Sequence, residues 1–354
     1  MPNAVIVDVV RTAGGRRNGV LSGWHPVDLA AEVLMALQKR NHLVPSLVDD
    51  VIMGCVMQVG AQGLNIGRNA VLAAGWPDSV PATTIDRQCG SSQQAYTFAA
   101  QGVMAGAYDV VVAAGVEEMS LVPMGASVSK GVGFPFTEGM NDRYIDQGGL
   151  VPQGISAEMI ADQWGLSRED LDAFGARSQQ FAERARDEGR FDNEIIPVQG
   201  RRRDKETGEV TIEDAPVTQD EGIRPGTTAE GLAKLKPAFK PDVGKVTAAN
   251  SSQITDGASA ALIMSEEKAA ELGLTPRARF HAFSLAGVNP VTMLTGPIPS
   301  TQKVLARAGM SVDDIDLFEV NEAFASVVLA WKADMGLDDD TRWAPPAPNC
   351  WPPC

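Results

Sequence analysis

The chain has 354 residues, of which 44% are hydrophobic, and its 30 basic against 45 acidic side chains give a net charge of -15. This length is enough for two or more packed units with their own cores. An acidic chain has no general attraction for a phosphate backbone, so we expect no nucleic-acid partner. A polyanionic substrate would require a local basic patch.

Neither the start of the chain nor its cysteine content indicates export. The sequence begins MPN and passes directly into a strand-like run at 4–10, which lacks the basic start and the apolar length of a signal peptide. No apolar run approaches the length of a membrane span. The four cysteines are Cys55, Cys89, Cys350 and Cys354, and the last two lie in an unusual tail. We therefore expect a soluble cytoplasmic protein of a reducing compartment, with no membrane partner.

The most informative stretch runs from 83 to 106. A short β-branched run leads into a polar turn, and small residues without proline or charge follow from 93 to 106. The pattern predicts a strand, a tight turn and a buried helix, with Cys89 at the start of the helix. A helix start favours thiolate over thiol and offers N–H groups to an oxyanion. Because Gly90 allows a carbonyl group to approach closely, Cys89 is a candidate nucleophile; the alternative is a buried structural cysteine.

The first part of the chain alternates strands with helices. Further strands are predicted at 4–10, 51–57 and 109–115, and helices around 30–37 and at 66–74. Cys55 falls in the second of these strands and is interpreted as inert packing. The alternation predicts a parallel sheet covered by helices, in which ligands gather at the carboxyl ends of the strands. Cys89, just after one such strand, is well placed to meet a ligand.

The composition changes between 120 and 245, where Gly, Pro and charged residues increase. One clear helix is predicted from the capping-box-like start at Ser167 to about Glu188. A basic run at 201–203 precedes an exposed hairpin signature at 206–209. We interpret this basic run as a solvated turn rather than a nucleic-acid patch.

Strand and helix patterns return in the last third of the chain. Strands are predicted at 258–264, 279–285 and 317–320, and helices after Ser265, at 301–308 and at 322–333. This order repeats the β/α alternation of the first part.

Four segments resemble, in order, the motifs of the thiolase family, the acyl-CoA acyltransferases. They are 88–95 (QCGSSQQA), 115–120 (GVEEMS), 250–257 (NSSQITDG) and 321–326 (NEAFAS). The similarity runs from about Val5 to about Trp331. On these segments the chain is identified as a member of the family.

The resemblance implies an α/β protein with the thiolase-like layered αβαβα fold, made of two similar half-domains of which the second is incomplete. The N-terminal half-domain would span 1–119 plus 244–266, and an inserted loop domain at 120–243 would hold the CoA moiety. The incomplete C-terminal half-domain would span 267–340, followed by an aberrant tail rich in Pro, Cys and Trp at 341–354. Thiolases associate through the half-domain that carries the nucleophile, so a homodimer or homotetramer is implied.

The resemblance also implies the chemistry. A thiolase transfers an acyl group between a 3-ketoacyl-CoA and CoA, as in fatty-acid metabolism and β-oxidation; CoA is a substrate, and no metal or other cofactor is implied. By resemblance, Cys89 is the catalytic nucleophile that becomes an acyl thioester. Asn321 of the NEAF motif holds a water in the oxyanion hole, or it could be the N-cap of the helix that follows; the two roles are compatible.

Substrate contacts carry over from the same resemblance. Arg224 lies near the adenine and phosphate end of CoA, Ser252 contacts the pantetheine, and Met119 and Met124 line the acyl pocket. Other interpretations remain open: an ordinary surface arginine, a turn-forming serine and methionines that fill the core.

Two positions depart from the family pattern. Ser92 replaces the usual Gly after Cys-Gly-Ser and is expected to crowd the turn. Pro152 stands where short-chain thiolases often have a pantetheine-facing His. The second departure does not decide the acyl-chain length, but it slightly disfavours an enzyme dedicated to acetoacetyl-CoA.

The resemblance fails after Trp331. The family's Gly-His-Pro histidine, which activates the nucleophile, and its second cysteine, which shuttles the proton, have no counterpart in the sequence. The only histidines are His25, His42 and His281, which are interpreted as surface or packing residues. The proline density of the tail is incompatible with helix and central strand.

We interpret the chain as C-terminally truncated, with a tail produced by a deletion and a shift of reading frame. With GC-rich codons, 342–344 and 349–354 read in another frame can encode fragments that resemble the flanks of the Gly-His-Pro motif. The nucleotide sequence tests this hypothesis. A zinc site at Cys350 and Cys354 lacks two further ligands.

Two functions follow for this chain. The first is acyl transfer of the thiolase type through an acyl-Cys89 thioester, severely impaired because each positioned acid–base group contributes ~10²–10⁴ in rate. The alternative is a non-catalytic thiolase remnant that at most binds CoA or acyl-CoA. A decarboxylating condensing enzyme of the same superfamily is disfavoured, because it also needs histidines that are absent here.

Overall fold

The computed structural model describes residues 2–128 and 133–337. The strands are β1 (Ala4–Arg11), β2 (Gly15–Arg16), β3 (Asp50–Gly54), β4 (Ala82–Ile85), β5 (Val110–Glu118), β6 (Val198–Arg203), β7 (Val210–Val217), β8 (Thr255–Ser265) and β9 (Ala278–Arg279). The α-helices are α1 (Pro26–Asn41), α2 (Ile66–Ala73), α3 (Ser91–Met104), α4 (Glu138–Asp142), α5 (Gln153–Gln163), α6 (Arg168–Asp187), α7 (Ala229–Leu232), α8 (Glu266–Glu271), α9 (Pro297–Ala308) and α10 (Ala325–Asp334).

The main sheet is mixed, so the expectation of a parallel sheet was wrong for half of it. Its strand order is β4-β3-β5-β8-β1-β9, with β2 paired to β8. Strand β3 is parallel to β4 and β5, because helical crossovers join these strands. Strand β8 returns to the sheet from a distant segment and runs antiparallel to both β5 and β1.

Helices cover both faces of this sheet. The α1 and α2 helices pack on one face in a core that includes Leu34, Val71 and Val112. Helix α3 packs on the other face, where Ala99 lies in a core with Val111 and other strand residues. Strands β5 and β8 are consequently buried along their whole length, as expected for apolar strands between two helical layers.

A separate core joins the later helices. It contains Ala157 and Ile160 of α5, Phe174 of α6, and Val327 and Val328 of α10. The hydroxyl of Ser326 donates to the carbonyl oxygen of Ala157 at 3.0 Å, which ties α10 to α5. This core fixes the start of α5, a position that matters for the site.

Most predicted helices are confirmed. Helix α6 begins with a true capping box, in which the side chains of Ser167 and Asp170 each accept from the other's backbone N–H. The predicted hairpin is also confirmed as β6 and β7. Its basic run is not a solvated turn, however: it lies half-buried in β6, and Arg201 stacks on Trp24 at 3.7 Å.

Two predicted strands were wrong. Of the stretch 279–285, only the first residue belongs to a strand, because Phe280 and Phe283 pack side by side against the α3 face of the sheet instead of extending a ladder. The stretch 317–320 forms no named strand in the part of the chain that the structure describes.

The proposed division into half-domains and a loop domain stays a prediction, and the tail at 341–354 lies outside the described residues. Within the described ranges, no helix combines the length and the apolar character needed to cross a membrane.

Candidate active site

Cys89 lies between a strand and a helix, as the sequence predicts, but the helix is buried on one face only: Gln93, Phe98 and Gln101 are exposed. Strand β4 ends at Ile85, and α3 begins at Ser91 with Gly90 as its N-cap, so Cys89 is the residue before the cap. The hydroxyl of Ser91 closes the turn: it donates to the carbonyl oxygen of Gln88 at 2.6 Å and accepts the N–H of Arg87 at 2.9 Å.

The N–H groups beside Cys89 are mostly used within this turn. The N–H of Gly90 donates to the carbonyl oxygen of Arg87, and the N–H of Ser91 donates to that of Gln88. The N–H of Cys89 itself is directed at its own sulfur. Two of the expected helix-start donors, the N–H groups of Gly90 and Ser91, are therefore not available to an oxyanion in this geometry.

The strain of the turn lies at Gln88, not at Ser92. Gln88 has a φ of 47°, in the left-handed region that non-glycine residues rarely adopt. Asp86 holds it there, since its Oδ1 accepts the N–H of Gln88 at 2.6 Å. Ser92 is an ordinary residue in the first turn of α3, with a buried hydroxyl that has no hydrogen-bond partner among the described residues.

The Cys89 thiol is accessible to solvent, and the protein around it is dense. Burial raises the pKa of the Cys89 thiol above its usual value, and the nearby carboxylates of Glu117 and Asp86 act in the same direction. The expectation that the helix start lowers this pKa was therefore wrong. Desolvation is the largest cause of this shift, and the resting group is a thiol at neutral pH.

Gln153 is a site residue that the sequence reasoning missed. It is the first residue of α5, and its side-chain amide lowers the pKa of the Cys89 thiol, against the effect of burial. The N–H of Cys89 itself acts in the same direction. The only signal in the sequence was its position beside Pro152, a place already linked to substrate contacts.

A network of buried hydrogen bonds surrounds the carboxylate of Glu117, whose charge acts on Cys89. Glu117 accepts from the N–H groups of Val56 and Met57 and from the side chain of Gln62, the last at 2.6 Å. Gln62 also accepts the N–H of Glu118 at 2.7 Å. Burial raises the pKa of Glu117, which these hydrogen bonds oppose. The network ties the end of β5 to the loop after β3.

Cys55 lies directly after β3 rather than within it, and it is fully buried. Burial, and then the charge of Glu117, raise the pKa of its thiol strongly. These features fit the interpretation of Cys55 as inert packing.

The NEAF segment is docked on the segment that contains Ser252. The N–H of Ser252 donates to the carbonyl oxygen of Ala323 at 2.9 Å, and its hydroxyl donates to that of Glu322 at 2.8 Å. Asn321 is exposed beside them. It is not a helix N-cap, because α10 begins three residues later than expected and its N-cap is Phe324. The structure thus brings together two of the predicted site segments.

Glu322 has a perturbed carboxyl group. Burial raises its pKa from 4.5 to about 6, while the hydroxyl of Ser178, which donates to it at 2.6 Å, acts in the opposite direction. The charge of Glu319 raises this pKa further, and Arg177 lowers it.

The other predicted substrate residues lie on further segments, Arg224 after β7 and the two methionines after β5. The side chain of Arg224 is exposed, and its backbone N–H is anchored to Gln179 of α6 at 2.8 Å. Met119 is half-buried after β5, whereas Met124 is 63% exposed. Their roles toward CoA and the acyl group stay predictions.

The three histidines lie at the ends of a helix or on the surface. His25 is the N-cap of α1, where its ring nitrogen accepts the N–H of Val27 at 3.3 Å. His42 ends the same helix in a left-handed conformation. His281 is exposed in an extended segment. Their interpretation as surface residues agrees with these positions.

Family comparison decides the identity of the fold. Residues 4–267 match the family described as thiolase, N-terminal domain, and residues 274–342 match thiolase, C-terminal domain. The chain belongs to the thiolase family. It is therefore an acyltransferase by family, as the motifs implied.

Individual relatives agree. A 3-ketoacyl-CoA thiolase of Aliivibrio fischeri is 47% identical over 341 residues, which cover 96% of this chain and 84% of that protein. A steroid 3-ketoacyl-CoA thiolase of Mycobacterium tuberculosis is 45% identical over 344 residues, or 96% of this chain and 80% of that protein.

A solved structure confirms the thiolase fold. The crystal structure of the Bacillus anthracis acetyl-CoA acetyltransferase matches with a TM-score of 0.82 and 38% identity, covering 97% of this chain and 85% of that chain. The α/β layered thiolase fold expected from the motifs is thus established.

Proposed function

We propose that this chain transfers acyl groups between a 3-ketoacyl-CoA and CoA through a thioester on Cys89. The observation that carries the proposal is the placement of Cys89: an exposed cysteine directly before the N-cap of α3, a helix that packs on the sheet. The printed names of the relatives, 3-ketoacyl-CoA thiolases among them, support the same substrate class.

The reaction divides into two steps. The sulfur of Cys89 attacks the 3-keto carbon, the bond between C2 and C3 breaks, and the released enolate of acetyl-CoA takes up a proton. The thiol of CoA then attacks the acyl-Cys89 thioester, so that acyl-CoA leaves and the Cys89 sulfur is restored. Each step needs a group that removes a proton from sulfur and returns it.

We further propose that turnover by this chain is slow. Burial raises the pKa of the Cys89 thiol, so a base must activate it, and the 354-residue sequence contains no Gly-His-Pro histidine. His25 and His42 sit at the two ends of α1, and His281 is exposed in an extended segment. Both acylation of Cys89 and regeneration of the free enzyme should then be slow.

The substrate contacts are proposed on the same basis. Asn321 and Ser252 belong to two segments that are hydrogen-bonded to each other, which supports a shared role at the pantetheine and thioester end. Arg224 is an exposed cation suited to the phosphate end of CoA. Met119 and Met124 are proposed to contact the acyl chain.

Intact-mass analysis after incubation with acetyl-CoA tests acyl transfer to Cys89. The expected result is a gain of one acetyl group in the wild type and in a Cys55→Ala control, and no gain in Cys89→Ala. The Cys89→Ala variant also separates this adduct from any on the tail cysteines. A folded wild type without the adduct would leave only the alternative, a remnant that binds CoA without chemistry.

Steady-state thiolysis of acetoacetyl-CoA tests the second claim. A rate far below the ordinary range of ~1–10³ s⁻¹ is expected. A rate within that range would overturn the proposal of slow turnover while leaving Cys89 as the nucleophile.

We also propose that the protein associates as a dimer or tetramer in the cytoplasm. Within the described residues, β4 is hydrogen-bonded on one side only, to β3, and an open strand edge invites pairing with another chain. Light scattering measures the assembly, and a monomer at micromolar concentration would contradict it.

A further inference from the structure

Two acidic side chains face each other at one end of the main sheet. Glu118 is the last residue of β5 and Asp256 is the second residue of β8, and the antiparallel register pairs them directly. Residues paired in this way carry their side chains on the same face of a sheet, with Cβ atoms ~4.5–5.5 Å apart. Both residues are 0% exposed, so the two carboxyl groups share an environment from which bulk water is excluded.

Asp256 receives its hydrogen bonds from the turn that follows β5. Its Oδ1 accepts the N–H of Ser120 at 2.8 Å, and its Oδ2 accepts the hydroxyl of Ser120 at 2.5 Å. The same hydroxyl accepts the N–H of Asn18 at 2.7 Å. Asp256 therefore ties the turn that contains Met119 and Ser120 to the start of β8, and these hydrogen bonds favour its charged form.

Glu118 lacks this support. Neither oxygen of its carboxyl group accepts a hydrogen bond within the part of the chain that the structure describes. A buried carboxylate without donors costs far more free energy than a buried neutral acid, and the charge of Asp256 beside it adds to that cost. A proton on Glu118 removes both costs, because a neutral carboxylic acid has its own O–H donor and a carboxylate has lone pairs to accept it.

Charged groups from other elements surround the pair. Arg203 on β6 acts on Glu118, but its Nη1 donates to a backbone carbonyl oxygen at 3.1 Å. Arg11 on β1 borders a small cavity together with Asp256 and is held in an ion pair of its own. Glu221, after β7, adds a negative charge that acts on Asp256.

The pKa shifts agree with this geometry. Burial raises the pKa of Glu118 well above its usual value and the charge of Asp256 raises it further, whereas Arg203 lowers it. Burial also raises the pKa of Asp256, while hydrogen bonds from Ser120 and Glu118 act in the opposite direction. The surroundings thus favour the neutral form of Glu118 and give the charged form of Asp256 its donors.

We propose that Glu118 is a neutral carboxylic acid at neutral pH, that its O–H donates to Asp256, and that this acid–carboxylate pair positions the turn after β5. Loss of the proton would place two like charges side by side between β5 and β8 and would loosen the turn that carries Met119. The inference goes beyond acyl transfer and does not depend on it, since its tests need no substrate.

The first test is urea unfolding of the full chain with Glu118→Gln, which keeps the size and gives Asp256 an N–H. Above about pH 4.3 the unfolded wild type releases the proton of Glu118 and the folded state keeps it, so the wild type loses stability as the pH rises. Relative to Glu118→Gln, its unfolding equilibrium constant should rise about tenfold per pH unit between about pH 5 and pH 7. Glu322 is common to both proteins and cancels in this ratio.

Glu230→Gln, at an exposed position of α7, is the matched control and should run parallel to the wild type. A constant ratio between the wild type and Glu118→Gln across the range would mean that Glu118 is ionised in the folded protein, and it would overturn the proposal.

Infrared spectroscopy detects the proton directly in the folded wild type. At about pH 8, where exposed carboxyl groups are ionised, the C=O stretch of a neutral carboxylic acid should be present and should disappear on thermal unfolding. Glu118→Gln should lose this component. Asp256→Asn should shift its frequency, because the acceptor of the O–H becomes a neutral amide, and this variant keeps the test decisive if Glu118→Gln does not fold. Absence of the band, or a band that both substitutions leave unchanged, would overturn the proposal.

Discussion

Gly54 at the end of β3 lies directly against the backbone of α3 at Ser92. A Cβ atom added to Gly54 would come 2.6 Å from the carbonyl carbon of Ser91 and 2.7 Å from the Cα of Ser92. Both partners are backbone atoms, so they cannot move away as a flexible side chain would. The absence of a side chain at Gly54 is what lets the start of α3, and Cys89 with it, rest on the sheet.

Gly54→Ala should therefore destabilise the protein and displace the nucleophile. We expect a loss of about 1–3 kcal/mol in the free energy of unfolding, the usual cost of overpacking a tight core site. We also expect slower alkylation of Cys89 at a fixed alkaline pH, because the displaced α3 start no longer holds the turn. Urea unfolding measures the first effect, and the rate of Cys89 alkylation by iodoacetamide, followed on the peptide that carries Cys89, measures the second.

Gly139→Ala is the matched control for this change. Gly139 lies in α4, where an added Cβ would meet no atom within 4 Å, so alanine there should be neutral or slightly stabilising. Equal unfolding curves for Gly54→Ala and Gly139→Ala would show that β3 and α3 do not meet as described.

Glu322 should make stability depend on pH. Its pKa is raised by burial from 4.5 to about 6, so the folded state holds this proton more tightly than the unfolded state. The stability that comes from this difference is full below pH 4.5 and is lost as the pH rises through about 6. Glu322→Gln, which still accepts from Ser178, should remove this part of the decline.

The wild type should thus lose about 1–2 kcal/mol more than Glu322→Gln between the two ends of that range. Thermal or urea unfolding across the range measures the difference. Glu209→Gln, at an exposed position of the hairpin turn, is the control and should follow the wild type. Parallel curves for all three proteins would reject the assignment to Glu322.

The nucleophile unit could be predicted from sequence because its determinants are local. The β-branched run, the polar turn and the small-residue helix lie within one continuous stretch, and β4, Cys89 and α3 form as that pattern indicates. The capping box at Ser167 is local in the same way. Short-range hydrogen bonds and helix periodicity decide such features before any tertiary contact forms.

The environment of the thiol could not be predicted, because it comes from distant residues. Gln153 and Glu117 belong to other elements, and the desolvation that raises the pKa of Cys89 depends on how those elements pack. The apolar pattern around Phe280 and Phe283 was ambiguous for a similar reason. A segment that packs against a helix-covered sheet face and a strand that pairs within a sheet contain the same apolar residue types.

Asp86 is expected to act on the thiol in the opposite direction to Gln153. Burial is the main cause of the raised pKa of Cys89, and the charge of Asp86 adds to it. Asp86→Asn removes the charge and keeps an oxygen that can accept the N–H of Gln88. Because Asp86 is exposed and screened by solvent, the pH profile of Cys89 alkylation by iodoacetamide should move only slightly to lower pH. A shift to higher pH would contradict this account.

Adjacent serines in the first turn of α3 should respond to alanine with opposite signs. The hydroxyl of Ser91 makes two hydrogen bonds that close the Cys89 turn, at 2.6 Å to the carbonyl oxygen of Gln88 and at 2.9 Å from the N–H of Arg87. The hydroxyl of Ser92 is buried and has no partner among the described residues. Ser91→Ala should cost about 1–2 kcal/mol of unfolding free energy and loosen the turn, whereas Ser92→Ala should gain about 1 kcal/mol. Urea unfolding of the two variants, made in the same helix turn and with the same change of atoms, tests the contrast. Equal losses would mean that a hydrogen-bond acceptor does reach Ser92.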